Sequence, residues 1–496
     1  MGYREVPVAS SHRRTFLKAG LGLPFALRKL SSTPPVVDVD LEARQAWMRV
    51  AGRTVYLYGY NGQVPGPVIE ARPGDHVRVR FRNRLAEPTN IHYHGLHVSP
   101  SGHADNVMLR IPAGESLTYE FDLPANHRGG TFWYHPHVHE SVARQVSRGL
   151  AGVFVVRGEL DQIPEIASAP EAVLVLQDFS LSSRGDPLEP NMMERIMGRE
   201  GDLVTANGEI NPALPIERDG WLRLRILNAS SSRFHRIQLE EHSLHVIATD
   251  GGAQTEPEER GEILLLPGER VEVMIRGNRA AGQYRLLSHP YSRGGIMGMG
   301  MRMSRGGGMM GGGMMGGGMM GMGMMGRAPG LSSGPLVLAT LNYQGRAAKK
   351  WNLPQQLVRI DPLPEPTVYR TFQLGGGMGM GMGMGMMMGG MMNFTINGRA
   401  FDPDRIDTRA ALNTVEEWEF VNSSMMDHPM HIHTNPFQVV DPDGGAARSW
   451  KDMVLVPADD RVRVRTAFRD FTGTAMYHCH ILDHEDLGMM GRLEIR

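Results

Sequence analysis

The chain has 496 residues, a formal net charge of -1 and 21% charged residues. That length exceeds one ordinary domain and suits about three, while the balanced charge leaves no electrostatic footprint for a nucleic-acid partner. A single cysteine, Cys479, beside 20 histidines excludes an intrachain disulfide and a Cys-rich zinc site.

The N-terminus reads Ser11-His-Arg13-Arg14-Thr-Phe16-Leu17-Lys18, then runs modestly apolar to Leu27. Paired arginines before such a run resemble a twin-arginine export signal, although Pro24 and Arg28 shorten the apolar stretch. Residues 1–32 are therefore expected to be a signal or disordered leader, and the protein to be periplasmic or otherwise exported. Nothing later is apolar and long enough to span a bilayer.

From residue 36 onward one pattern occurs three times. The segments 77–83 (VRVRFRN), 222–228 (LRLRILN) and 416–422 (EEWEFVN) alternate in period two and end in Asn. Ahead of them stand Asn61-Gly62, Asn207-Gly208 and Asn397-Gly398, the chemistry of tight turns. Behind them, Pro112-Ala-Gly-Glu115, Pro267-Gly-Glu269 and Pro457-Ala-Asp-Asp460 each open another alternating strand. Such a repeat of short, Gly/Pro-punctuated strands predicts an all-β chain of three homologous β-sandwiches, at 36–160, 165–345 and 366–496.

The first and third units carry paired histidines: His92-Tyr-His94-Gly95, His135-Pro-His137, His428-Pro-Met-His431-Ile-His433 and His478-Cys479-His480. On a strand, residues i and i+2 share a face and i+1 points away. Each His-x-His therefore aims two imidazoles at one face, and if 475–481 is a strand, His478 and His480 turn away from Cys479. His428 is out of phase with His431 and His433 and should face the Cys479 side, although Pro429 favours a bulge or a sheet edge. His484 follows Cys479 by five residues and Met489 by ten. Thiolate, imidazole and thioether together are the ligands of a blue-copper electron-transfer site. The middle unit has no His-x-His, only His289 near its end, and reads as a metal-free spacer.

Two low-complexity segments stand apart. Gly294 to Gly326 holds thirteen methionines and Gly375 to Met392 nine, of 36 in the chain. So much glycine disfavours a stable helix, which predicts loops. Thioethers are soft ligands that select Cu(I), and the competing reading is a soft apolar flap.

These histidine motifs, with His478-Cys479-His480-x3-His484-x4-Met489, resemble the three-domain multicopper oxidases, which include laccases and bacterial copper-efflux oxidases. The resemblance implies three tandem cupredoxin-like Greek-key sandwiches and four coppers per chain. It implies a type 1 copper on His428, Cys479 and His484 with Met489 axial and Met490 as runner-up. It implies a type 2 copper on His92 and His431, and a type 3 pair on His94, His135, His137, His433, His478 and His480, in a cluster formed between the first and third domains. It implies Asp105 and Glu485 as catalytic proton relays. The implied reaction oxidises Cu(I), phenols or aromatic amines one electron at a time and reduces O2 to water, in a monomer serving copper tolerance. The alternatives are a general laccase with no copper-handling role and a periplasmic copper store or chaperone.

Overall fold

The computed structural model describes residues 35–294, 334–345, 347–348, 350–376, 394–441 and 448–496. The N-terminal segment expected to be an export signal and nearly all of both Met/Gly-rich segments lie outside the described residues. Among the described residues, no helix is long and apolar enough to cross a membrane.

Strands dominate, and six sheets fall into three consecutive pairs. Strands between 36 and 156 form two four-stranded sheets; those between 171 and 344 form a six-stranded and a five-stranded sheet; those between 368 and 495 form two of five. Each pair closes over one apolar cluster drawn from both of its sheets: Leu41, Val79 and Phe154 in the first, Leu224, Ile237 and Leu341 in the second, Trp418, Ile432 and Leu493 in the third. Burial of such alternating faces is the main stabilising term of a sandwich.

The repeat has a structural counterpart at each turn. Asn61, Asn207 and Asn397 adopt φ of 55°, 54° and 55°, the left-handed region Asn tolerates best among residues with a Cβ. Their side chains also tie the turn to a neighbouring strand, with Oδ1 accepting from the backbone of Glu42, Val175 and Gln373 at 2.7–2.8 Å. The strand-end asparagines Asn83, Asn228 and Asn422 are buried. Each donates from Nδ2 to carbonyls of two separate segments: Glu87 and Ile111, Arg233 and Leu265, Met426 and Val456.

Two expectations need correction. The strand Gly473–Cys479 stops at the cysteine rather than at 481, yet the His480 amide still donates to Pro429 O at 2.7 Å, so alternation continues for one more residue. Pro429 is neither at an edge nor in a bulge. Its strand, His428–Ile432, lies between Met453–Val456 and Gly473–Cys479 with an unbroken register. Pro lacks an N–H, but that missing donor faces the point where the neighbouring strand has just ended, so the ladder loses little.

The repeated strand also differs among units. In His76–Arg84 the arginines form the solvent face. In Trp221–Asn228 every residue is buried, because the first unit packs over the outer face through Trp133, Val153 and Val155 against Val175, Leu227 and Ala229.

Candidate metal centre

Strand pairing gathers the histidines. His92–His94 runs antiparallel to Gly130–His135 with His92 opposite His135, and His428–Ile432 runs antiparallel to Gly473–Cys479 with His431 opposite His478. Directly opposed residues share a face, so each outer unit presents a bank of imidazoles. The banks meet face to face: His92 stacks on His433 with centroids 4.0 Å apart, and His94 on His431 at 3.8 Å.

Within this cleft three all-histidine groups have ligand atoms close enough to share an ion, His92 with His431 and His433, His94 with His135 and His480, and His137 with His433 and His478, and a fourth joins His94 and His431 to Asp452. All are buried. Each group mixes residues of the first and third units, and among the described residues none draws on 165–345. His289 pairs instead with Gln238 at 2.8 Å.

Hydrogen bonds select the tautomers. Nδ1 of His92 lies 2.9 Å from Asp105, Nδ1 of His135 lies 2.9 Å from Pro136 O, Nδ1 of His431 lies 2.8 Å from Asp452 O, and Nδ1 of His478 lies 3.0 Å from Cys479 O. Acceptors at Nδ1 place the proton there and leave Nε2 with its lone pair. Nε2 of His92, His94, His135, His431 and His480 then has no hydrogen-bond partner although buried. The Nε2 atoms of His137 and His433 lie 3.3 and 3.1 Å from Nε2 of His478. Burial holds His92, His94, His431, His433 and His480 well below the ordinary imidazole range, His135 to about 3 and His137 to about 4, so these seven are neutral. Converging neutral lone pairs without donors are costly unless a cation sits among them. The donor set fits copper.

Cys479 lies on the opposite face of its strand, as parity requires. Nδ1 of His428 and of His484 lie 3.5 and 3.7 Å from its Sγ. Here the tautomer is reversed: Nε2 of His428 meets Ser424 Oγ at 2.9 Å and Nε2 of His484 meets Ile196 O at 2.9 Å, leaving both Nδ1 atoms as ligands. The Ile481 amide donates to the sulfur at 3.4 Å, and Phe394 stacks on His484 at 3.8 Å. Burial pushes the Cys479 thiol up, so the metal-free site keeps its proton and metal binding would displace it. Met489 shares the apolar cluster of Cys479, whereas Met490 packs with Val107 and Met476.

Both carboxylates singled out from the sequence adjoin the cleft. Asp105, raised well above its usual range by burial, sits against His92 and accepts from the Tyr93 amide at 2.8 Å. Glu485 is fully buried, 3.1 Å from His478 Nδ1 and 3.5 Å from His137 Nε2. Two charged residues were not anticipated. Asp452 has Oδ1 3.6 Å from Nδ1 of both His94 and His431, and Arg270 of the middle unit pairs with it. The position of Arg270 directly after Pro267-Gly-Glu269 was visible; its partner 182 residues away was not.

Known proteins agree with this geometry. Three family models, each described as multicopper oxidase, match residues 42–161, 173–299 and 380–496. The multicopper oxidase mco of Staphylococcus haemolyticus is 29% identical over 448 residues, covering 88% of this chain and 83% of that protein. The cell division protein FtsP of Dickeya dadantii is 28% identical over 474 residues, covering 91% and 87%. The solved multicopper oxidase from Campylobacter jejuni, titled a metallo-oxidase, superposes with a TM-score of 0.77 at 31% identity, covering 94% of this chain and 93% of that one. The chain, a set of cupredoxin-fold sandwiches with buried imidazole and thiol clusters at its outer units, belongs to the multicopper oxidase family.

Proposed function

We propose that the protein is an exported oxidase that takes single electrons from Cu(I), phenols or aromatic amines and uses four of them, with four protons, to reduce O2 to two waters. The observation that carries this reading is the covalent junction at Cys479. Its sulfur faces His428 and His484, while its neighbours in the chain, His478 and His480, each belong to a different imidazole group of the cleft.

Copper held on these side chains supplies one-electron redox chemistry on the sulfur face and a place for dioxygen to be reduced on the imidazole face. His428, Cys479, His484 and Met489 are the residues proposed to hold type 1 copper. His92 and His431 would hold type 2, and His94, His135, His137, His433, His478 and His480 would hold type 3, giving four coppers per chain. The chain's own contribution is to space the two faces by the width of one strand, to keep bulk water from the cleft, and to hold protons near it. Asp105 at His92 and Glu485 at His478 are the groups proposed to pass protons inward.

Cu(I) as a donor is supported by the thioether-rich segments and by likeness to a metallo-oxidase. A role in copper tolerance follows from that choice of donor. Likeness to a cell division protein raises the alternative of a binding protein without turnover. The filled set of ten histidines, one cysteine and one axial methionine favours the enzyme.

Copper analysis with a visible spectrum and an oxygen electrode tests the reading. Four coppers, an intense blue band and donor-dependent O2 uptake are expected. A copper-loaded protein that consumes no oxygen with either Cu(I) or a dimethoxyphenol would refute it.

A further inference from the structure

The middle unit, free of metal-ligand clusters of its own among the described residues, still reaches the imidazole cleft through one side chain. Arg270 begins the strand Arg270–Arg276 and is wholly buried. Nη1 and Nη2 donate to Asp452 Oδ1 and Oδ2 at 2.9 and 2.5 Å, a bidentate fork. Nη1 also donates to Gly268 O at 3.0 Å, Nη2 to Asp250 O at 3.0 Å, and Nε to Thr131 O at 3.0 Å. All five N–H groups of the guanidinium therefore point to oxygens.

This has a consequence for His94. Its Nδ1 lies 3.2 Å from Arg270 Nη1, a nitrogen that also donates to Asp452 and Gly268. Asp452 Oδ1 lies 3.6 Å from that Nδ1, beyond a direct hydrogen bond, and equally 3.6 Å from Nδ1 of His431, which meets the Asp452 carbonyl oxygen at 2.8 Å. One residue thus faces the Nδ1 edges of two stacked imidazoles, one from each outer unit, and a guanidinium from the third unit holds its carboxylate in place. The backbone leaves room for little else. A Cβ on Gly95, at φ +86°, would collide with both Arg270 and Asp452, and one on Gly268, at φ +85°, would come within 2.7 Å of the His480 ring.

We propose that Arg270 and Asp452 form a positioning clamp through which the middle unit fixes the ring orientation of His94 and His431, and so governs copper retention in the cleft. The inference rests on the copper reading above.

The test uses the full chain with Asp452→Asn, Arg270→Gln, the charge-neutral double variant, and Arg270→Lys, which keeps the charge and loses the fork. Glu269→Gln serves as control, since it weakens the neighbouring Lys451–Glu269 pair at the same interface without touching the clamp. Copper per chain, the type 2 EPR signal and the rate of copper loss to EDTA are measured, with the blue band as the check on folding. Clamp variants should keep the blue band, show an altered type 2 signal and release cleft copper about 10- to 100-fold faster, the usual cost of removing an outer-sphere partner. The control should match the parent.

Parental copper content, EPR signal and release rate in Asp452→Asn and Arg270→Lys would overturn the proposal, as would equal release by Glu269→Gln. A parent chain that binds no copper would sink the functional reading instead. The imidazole 15N shifts of the metal-free protein then still judge the clamp: it fails if Asp452→Asn and Arg270→Lys leave the His94 and His431 shifts at their parental values.

Discussion

The outer units and the middle unit share one strand frame and bury opposite chemistry in it. The outer units enclose neutral imidazoles whose lone pairs converge. The middle unit encloses arginines, each matched to carboxylates: Arg223 and Arg225 to Glu272 and Asp161, Arg233 to Asp178, Arg270 to Asp452. Buried cations paired within the protein make a joint that needs no cofactor, whereas buried lone pairs make a site that does. The middle unit is a connector by chemistry as well as by position, and its arginines fasten it to both neighbours.

Substitutions can sharpen this contrast, beginning where the effect should be greatest. Cys479→Ser removes the only thiolate and should abolish the blue band and reduce donor-driven O2 uptake to background, read by absorbance and oxygen electrode; any retained blue colour would place the copper elsewhere. In the connector, Arg225→Met leaves Glu272 without one of its cations and should cost about 3–5 kcal/mol of stability, seen in denaturant melts, with the spectrum of the folded protein unchanged. The exposed counterpart on the repeated strand, Arg80→Met, should cost far less, because its pairs with Asp38 and Asp40 are solvated. Equal costs at the two sites would erase the proposed difference between the units.

Asp105→Asn keeps the shape beside His92 but alters proton delivery, and should lower kcat for O2 reduction about 100-fold while copper content stays near parental. A parental kcat would return Asp105 to a purely structural role. The mildest expected change comes from deleting residues 295–325. Turnover of Cu(I), measured as kcat/KM, should fall about 10-fold and that of a dimethoxyphenol should hold, as expected if thioethers gather the cuprous donor; unchanged Cu(I) turnover would assign the segment to another task.

Much of the site was legible in the sequence because strand alternation is local. The parity of His478, Cys479 and His480 follows from the backbone alone, and so does the opposite phase of His428 against His431 and His433. The unbroken ladder at Pro429 was not legible, since it depends on where the neighbouring strand ends. Nor was the packing of the two thioethers, Met489 in the apolar cluster of Cys479 and Met490 with Val107 and Met476.

Residue type and spacing along the chain thus determined the ligand chemistry, the face on which each ligand lies and the three-fold strand frame. Tertiary structure alone decided which histidines stack across the cleft, which oxygen selects each tautomer, and that Arg270 of the middle unit would reach Asp452 beside His94. The reason is range. Strand periodicity acts over a few residues, whereas those contacts join segments up to hundreds of residues apart and exist only once three separately packed sandwiches have docked.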